Sequence, residues 1–150
     1  MLLTLFVFLG ISFQNRIKTY SNDRYLCLKD SIDNNITTCS KEMATDFVFR
    51  FRDDGTMVIL LPGIHKVFSQ FVGQLMVENY EKTQNQIFTL RLVDVNNFKI
   101  VNKEKCLAQE KNIFIFEECK YNKQNQYFSL MESAPTLLAI THKKTSTLNI

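Results

Sequence analysis

The stretch Gln124-Asn125-Gln126-Tyr127-Phe128-Ser129-Leu130 occurs in two further versions in this chain of 150 residues. The others are Gln84–Leu90, which reads QNQIFTL, and Met43–Phe49, which reads MATDFVF, and the three align without gaps. A phenylalanine recurs at their fifth position at intervals of 41 and 40 residues, as Phe47, Phe88 and Phe128. A large apolar residue follows two positions later in each version, on the same face of a strand. The sequence therefore predicts three similar units, each built around one such strand.

Each version is followed by a turn and then by a further apolar segment. The turns contain Gly, Asn, Asp or Pro, which favour turn dihedrals, and they lie at Asp53–Thr56, Asp94–Asn97 and Ser133–Thr136. Segment length, β-branched content and turn signals predict about four short strands in each unit. We place them at 16–20, 25–29, 36–39, 47–52, 57–61, 66–70, 74–78, 87–92, 98–102, 106–109, 113–117 and 127–131, with 137–141 closing the last unit. No segment combines a helical apolar stripe with caps. Twelve strands in three units of about 40 residues predict an all-β β-trefoil, because a propeller needs at least four blades.

The chain begins with an apolar run, Leu2–Ile11, that has the length of the core of a signal peptide. A membrane-spanning helix needs about 20 apolar residues, and no later stretch is long or apolar enough. We therefore expect a signal peptide at residues 1–12 and a secreted protein. A buried first strand is the alternative, because no basic residue precedes the run. Residues 13–141 are expected to form the trefoil, followed by a flexible tail at 142–150.

The four cysteines form two pairs, with spacings of 12 and 13 residues, Cys27 with Cys39 and Cys106 with Cys119. An even number of cysteines after a signal peptide predicts two disulfide bonds. The competing use is a zinc site, but the chain has no Cys-x-x-Cys and neither histidine lies near a cysteine. We therefore predict no metal. The middle unit has Lys66 and Asn79 at the corresponding places, so it is expected to lack a disulfide.

Charge and motifs argue against two classes of function. The formal net charge is +3 and the 18 basic residues are scattered, whereas nucleic-acid binding requires a concentrated basic face. The chain contains no nucleophile elbow, no phosphate-binding glycine loop and no metal-binding histidine pair. We therefore expect neither an enzyme nor a cofactor, and no nucleic-acid partner.

Residues 16–141 resemble the ricin B-type lectins. The resemblance rests on Gln86-Ile87-Phe88 and Gln126-Tyr127-Phe128, where that family repeats Gln-x-Trp, and on Cys-Leu at Cys27 and Cys106 with the turn Asp54-Gly55-Thr56. Short secreted forms with Phe in place of Trp also resemble proteins of microsporidian parasites. The resemblance implies a β-trefoil with up to three shallow sugar pockets, and glycans or glycoproteins as partners.

The family builds a pocket from an Asp after Cys-Leu, an aromatic ring before the second cysteine, and an Asn beside the Gln. The last element is present, as Asn85-Gln86 and Asn125-Gln126. The Asp positions read Lys29, Phe68 and Ala108, and the ring positions read Thr37, Val77 and Glu117. If a bulge shifts the register, the next residues Asp30 and Gln109 would replace the missing carboxylate. The resemblance thus makes carbohydrate-binding candidates of Asn85, Gln86, Asn125, Gln126, Asp30 and Gln109, while the two glutamines have the alternative of bonding the backbone between units.

Two functions remain open at this point. One is a secreted, lectin-like carbohydrate-binding module with degenerate pockets. The other is a protein-interaction or structural trefoil, such as a spore-wall or host-interacting secreted protein, that has lost its sugars, because this fold supports many functions. In addition, Asn35-Ile36-Thr37 is a sequon and makes Asn35 a candidate for N-glycosylation.

Overall fold

The computed structural model describes residues 14–30 and 34–132. Its twelve strands are β1 (Gln14–Thr19), β2 (Tyr25–Leu28), β3 (Ile36–Cys39), β4 (Phe47–Phe51), β5 (Met57–Leu61), β6 (Lys66–Phe71), β7 (Gln74–Asn79), β8 (Thr89–Leu92), β9 (Phe98–Asn102), β10 (Lys105–Glu110), β11 (Ile113–Glu118) and β12 (Phe128–Glu132). Three one-turn 3₁₀ helices lie at Lys41–Met43, Gln84–Gln86 and Gln124–Gln126. The predicted signal peptide, the turn at Ser133–Thr136, the strand at 137–141 and the tail lie outside the described residues. No helix in the described ranges is long and apolar enough to cross a membrane.

Six of the strands close into an antiparallel barrel. β1 pairs with β4 on one side and with β12 on the other, where Ile17 faces Leu130. β4 continues to β5, β8 pairs with β9, and β9 pairs with β12. The bridge between Met57 and Phe88 joins β5 to the start of β8 and completes the ring. Closure of the ring leaves no barrel strand with an unpaired edge.

The other six strands form three hairpins, β2–β3, β6–β7 and β10–β11. The hairpins meet one another through the pair Ile115–Gln74 and the bridge between Asn35 and Met76. The hydroxyl of Thr37 also donates to the carbonyl of Asn112, which ties the first hairpin to the third. A six-stranded barrel with three hairpins, built from three units of four strands, is a β-trefoil, so the predicted fold class is confirmed.

The repeated phenylalanines form the centre of the core. Phe47, Phe88 and Phe128 are each 0% exposed, and burial of such a side chain stabilises the fold by about 1.5–3 kcal/mol. Phe68 of the second hairpin joins two of them, with ring centroids 5.0 Å from Phe47 and 6.4 Å from Phe88. The apolar residues two positions after each anchor are partly buried and pack against this core, as Phe49, Leu90 and Leu130.

The second unit differs by one residue from the alignment expected from the sequence. Its hairpin turns at Val72-Gly73 and that of the third unit at Lys111-Asn112. Counted from these turns, Val67 corresponds to Cys106, whereas the sequence alignment assigned that place to Lys66. The reason is a loop of different length, because Phe88 lies nine residues after Asn79 while Phe128 lies ten residues after the corresponding Glu118.

The two predicted disulfide bonds have different outcomes. Cys106 and Cys119 form a disulfide, but Cys27 and Cys39 are free thiols, so the prediction of a bond between them is wrong for this structure. The β2–β3 register sets Cys27 opposite Thr37, and each thiol lies within 3.6 Å of a carbonyl oxygen on the facing strand, that of Thr37 for Cys27 and that of Tyr25 for Cys39. Both sulfur atoms thus contact the backbone across the hairpin. Burial and a hydrogen bond with Cys27 raise the pKa of Cys39 to about 12.

Candidate functional site

Gln86 and Gln126 each precede a core phenylalanine by two residues, and both lie at the base of a hairpin. The Gln86 side chain accepts from the amide of Glu81 and donates to the carbonyl of Asn79, both at 2.8 Å. Gln126 accepts from the amide of Lys120 at 3.0 Å and donates to the carbonyl of Glu118 at 2.9 Å. Both side chains are buried. The amides therefore bond the backbone, within their own units and not between units, and present no open surface to a ligand.

The neighbouring asparagines lie closer to the surface. Asn125 is half-buried, and its side-chain nitrogen donates to the carbonyl of Gln109 at 3.2 Å. Its side-chain oxygen is buried and has no hydrogen-bond partner among the residues that the structure describes. Asn85 is half-buried as well, and its side chain makes no hydrogen bond among residues 14–30 and 34–132. The structure thus brings Asn125 and Gln109 together, while Asn85 is at the equivalent place of the second unit.

Gln109 is placed by a regular strand and not by a bulge. The β10–β11 ladder runs without interruption from Lys105–Glu118 to Glu110–Ile113, so the register shift considered for Gln109 does not occur. Its side-chain oxygen accepts from the hydroxyl of Ser21 at 2.9 Å, and its nitrogen donates to the carbonyl of Lys111. Gln109 is buried, and both ends of its side-chain amide are bonded within the protein.

Asp30 and Asn35 both belong to the first unit. Asp30 is exposed after the end of β2, in a unit that has no Asn-Gln pair. Asn35 is exposed and lines a cleft of about 400 Å³ where the hairpins meet, together with Lys29, Thr37, Gln74 and Asn112. Glycosylation of Asn35 stays a prediction.

A charged cluster that the sequence did not single out lies beside Gln126. The carboxylate of Glu117 accepts from the amine of Lys123 and, at 2.8 Å, from the amide of Gln126. Burial raises the pKa of Glu117, but the hydrogen bonds from Lys123 and Gln126 outweigh it and leave that pKa below its usual value. Glu117 is the residue for which the resemblance implied an aromatic ring, and here it is a carboxylate bonded to Lys123 and Gln126. No group of three or more metal-binding side chains occurs in the part of the chain that the structure describes.

Comparison with known proteins rests on structure alone. No protein-family model matches the sequence, and no curated protein matches it. Cry35Ab1 superimposes with a TM-score of 0.72 and 15% identity over 85% of this chain, which spans 39% of Cry35Ab1. ThreeFoil, a designed three-fold symmetric protein, gives 0.69 and 14% over 80% of this chain and 99% of its own. SeviL, solved with an asialo-GM1 saccharide, gives 0.67 and 12% over 82% of this chain and 99% of its own.

Matches of similar quality differ widely in activity. They include an exo-β-1,3-galactanase from Clostridium thermocellum, of which this chain covers 31%, and a proteinase inhibitor from Coprinopsis cinerea. At identities of 10–15% these likenesses show the fold, and the fold alone does not select a function.

Proposed function

We propose that this protein is a secreted, non-enzymatic carbohydrate-binding module of the ricin B type with altered pockets. The observation that carries the proposal is Asn125 of the third unit, whose side-chain oxygen is buried and, like those of Gln70 and Asn102, has no hydrogen-bond partner within the described ranges. An unpaired buried acceptor costs about 1–3 kcal/mol, and native proteins contain few of them. Asn125 as a whole is half-buried, so rotation of its side-chain amide brings this oxygen to the surface, where a sugar hydroxyl can donate to it. The disulfide between Cys106 and Cys119 supports secretion, because such bonds persist in oxidising compartments.

The pocket is expected to bind sugars with little stereochemical discrimination. Ala108, where the family has an Asp, offers no acceptor for a pair of hydroxyls. The carboxylate of Glu117 is already engaged by Lys123 and Gln126. Without a carboxylate that bonds two adjacent hydroxyls, a site loses the charge-assisted bonds that separate one epimer from another. Asn125 is then the main polar anchor, and several hexoses should bind with similar affinity.

The test is a titration over a printed glycan array with the mature, disulfide-intact chain. Wild type is compared with Asn125→Ala, with Asn85→Ala and with the double variant, and circular dichroism verifies that each is folded. We expect wild type to bind, Asn85→Ala to keep that signal, and Asn125→Ala and the double variant to lose most of it to the same extent. Asn85→Ala is the matched control in the second unit, since its side chain has no unpaired buried oxygen. Absence of binding by folded wild type contradicts the proposal.

A protein-interaction trefoil is the second candidate, and the tip of the second hairpin favours it. Phe71 is 57% exposed and Val72 is 86% exposed. Val72 also has a φ of 49°, a strained conformation for a β-branched residue, and such strain concentrates at functional sites. If folded wild type binds no glycan, this tip is the surface to examine, and Phe71→Ser is the variant expected to weaken a protein complex.

A further inference from the structure

The connection between β1 and β2 is the longest of three equivalent connections. It comprises residues 20–24, five in number, whereas the connections from β5 to β6 and from β9 to β10 have four and two residues. Tyr20 follows the β1–β12 ladder, in which Thr19 faces Phe128, and so it contacts Tyr127; Ser21 contacts Gln109 of the third unit. We call this connection, residues 20–24, the seam loop. Its side chains Tyr20, Ser21 and Asn22 are exposed.

Three contacts attach the seam loop to the third unit. The backbone amide of Tyr20 donates to the carbonyl of Tyr127 at 3.1 Å. The two tyrosine rings meet edge to face, with centroids 5.7 Å apart. The hydroxyl of Ser21 donates to the side-chain oxygen of Gln109, and the carbonyl of Gln109 accepts from Asn125. Through Gln109, the seam loop therefore lies next to the asparagine whose buried oxygen has no partner.

One buried hydroxyl holds the two ends of the loop together through hydrogen bonds. Thr19 is 1% exposed, and its hydroxyl contacts the side-chain oxygen of Asn22 at 2.7 Å and the carbonyl of Arg24 at 3.0 Å. The same oxygen accepts from the amide of Arg24. Asp23, which has a φ of 54°, pairs with Lys18 at 3.0 Å. A loop held in this way loses little conformational entropy when its exposed side chains bind a ligand.

The exposed groups of the loop have the chemistry that a pyranose requires. Tyr20 is 46% exposed, and its ring offers an apolar surface for the C–H face of a sugar, as aromatic rings do in small-molecule sites. Asn22 uses its oxygen for Thr19, so its side-chain nitrogen is left as a donor. The Ser21 hydroxyl donates to Gln109 and retains lone pairs that can accept. The Tyr127 ring is less available, because it is half-buried and the amine of Lys99 lies 5.7 Å from its centroid.

We propose that the seam loop is a sugar-binding surface beside Asn125, with a pyranose stacked on Tyr20 and its hydroxyls bonded to Ser21 and Asn22. The inference rests on the proposed function and extends it to residues outside the pocket pattern of the family. It also distinguishes the third pocket from the second. In the second unit, Gln70 has the place of Gln109, and its buried side-chain oxygen lacks the partner that Ser21 provides to Gln109.

The test compares Tyr20→Ala with Tyr20→Phe and with Tyr121→Ala, titrated over the same printed glycan array as wild type. Tyr121 is the matched control, since it is 93% exposed and belongs to no ring pair among the described residues. Loss of the stacked ring should raise the apparent Kd about tenfold, equivalent to roughly 1.4 kcal/mol. Tyr20→Phe keeps the ring that would stack on the sugar, and Tyr121→Ala removes a ring outside the seam loop. The apparent Kd of both variants should therefore stay within about twofold of wild type, a change well below 1.4 kcal/mol.

The outcomes separate the seam loop from the proposed function. If Asn125→Ala loses binding while Tyr20→Ala keeps it, the seam loop is overturned and the lectin function stands. If Tyr121→Ala weakens binding as much as Tyr20→Ala, the seam loop is again overturned. No binding by folded wild type overturns both. If Tyr20→Ala does not fold, Asn22→Asp takes its place, because it keeps the oxygen that Thr19 contacts and removes the amide nitrogen. Binding unchanged in Asn22→Asp then overturns the seam loop.

Discussion

Gln86 shows at the scale of one residue how a motif can persist without binding a ligand. Its side-chain amide bonds the carbonyl of Asn79 and the amide of Glu81, two backbone groups that lie at and just beyond the end of β7. The side chain is almost fully buried. Gln126 makes the same two backbone bonds in the third unit. In each Gln-x-Phe, the glutamine bonds the backbone at the base of a hairpin, and we call it a clamp. The phenylalanine two positions later is buried in the core. These two structural roles are enough to explain why the motif is repeated.

Removal of one clamp should weaken the whole domain. Gln86→Ala leaves the amide of Glu81 and the carbonyl of Asn79 without their partner, so we expect a loss of about 2–3 kcal/mol in the free energy of unfolding. Gln84→Ala is the control, since Gln84 is exposed and the bonds found for it use its backbone carbonyl, which accepts from Asn102 and from the amide of Ile87. It should change stability by less than about 0.5 kcal/mol. Urea unfolding of both variants measures the difference. Equal effects would show that the glutamine is not a clamp.

At the scale of the element, the β6–β7 hairpin combines a regular ladder with an unfavourable turn residue. Phe71 and Gln74 flank a two-residue turn in which Val72 has φ 49° and Gly73 has φ 75°. Two positive φ values define a type I′ turn, for which Asn-Gly is the preferred pair. Valine in the left-handed region is strained by its β-branch. Val72 is therefore an unfavourable residue for this turn, at the exposed tip of the hairpin.

Relief of that strain should stabilise the domain. Val72→Asn replaces the strained residue by one that tolerates the left-handed region, and we expect a gain of about 1 kcal/mol. Val95→Asn is the control, because Val95 is 97% exposed in the β8–β9 loop and is not among the residues with positive φ. Thermal unfolding of the two variants and wild type is the measurement. A melting temperature that rises equally in both variants, or falls in Val72→Asn, contradicts the assignment of strain.

The elements were largely predictable because their signals are local. Alternating apolar residues and turn residues place all twelve strands within two residues of the observed bounds. The 3₁₀ helix Gln84–Gln86 was not predicted, because one turn of helix has no apolar stripe. The contact between Ser21 and Gln109 joins residues 88 positions apart, and no local pattern reveals it. The site was therefore less predictable than the fold, since it depends on loop lengths and on contacts between units.

At the scale of the whole molecule, the three units share a core and differ in how their hairpins are fastened. The third unit has the disulfide of Cys106 with Cys119. The second has Val67 and Tyr80 at the corresponding places, by the register of its hairpin. The first has two thiols, Cys27 and Cys39. Of the three hairpins, the third is closed by a covalent bond. This bond persists when the chain unfolds, so the segment between Cys106 and Cys119 stays a closed loop in the unfolded state.

That asymmetry predicts how the protein responds to reduction. A bond that closes a loop of about 15 residues stabilises by roughly 3 kcal/mol through the unfolded chain, so dithiothreitol should lower the unfolding free energy of wild type by about that amount. Cys106→Ala/Cys119→Ala should be less stable from the start and insensitive to the reductant, whereas Cys27→Ala/Cys39→Ala should keep the sensitivity of wild type. A thiol titration of denatured, unreduced wild type should find two free thiols per chain. Four blocked cysteines would mean that Cys27 and Cys39 are also joined, and the hairpins of the first and third units would then be fastened alike.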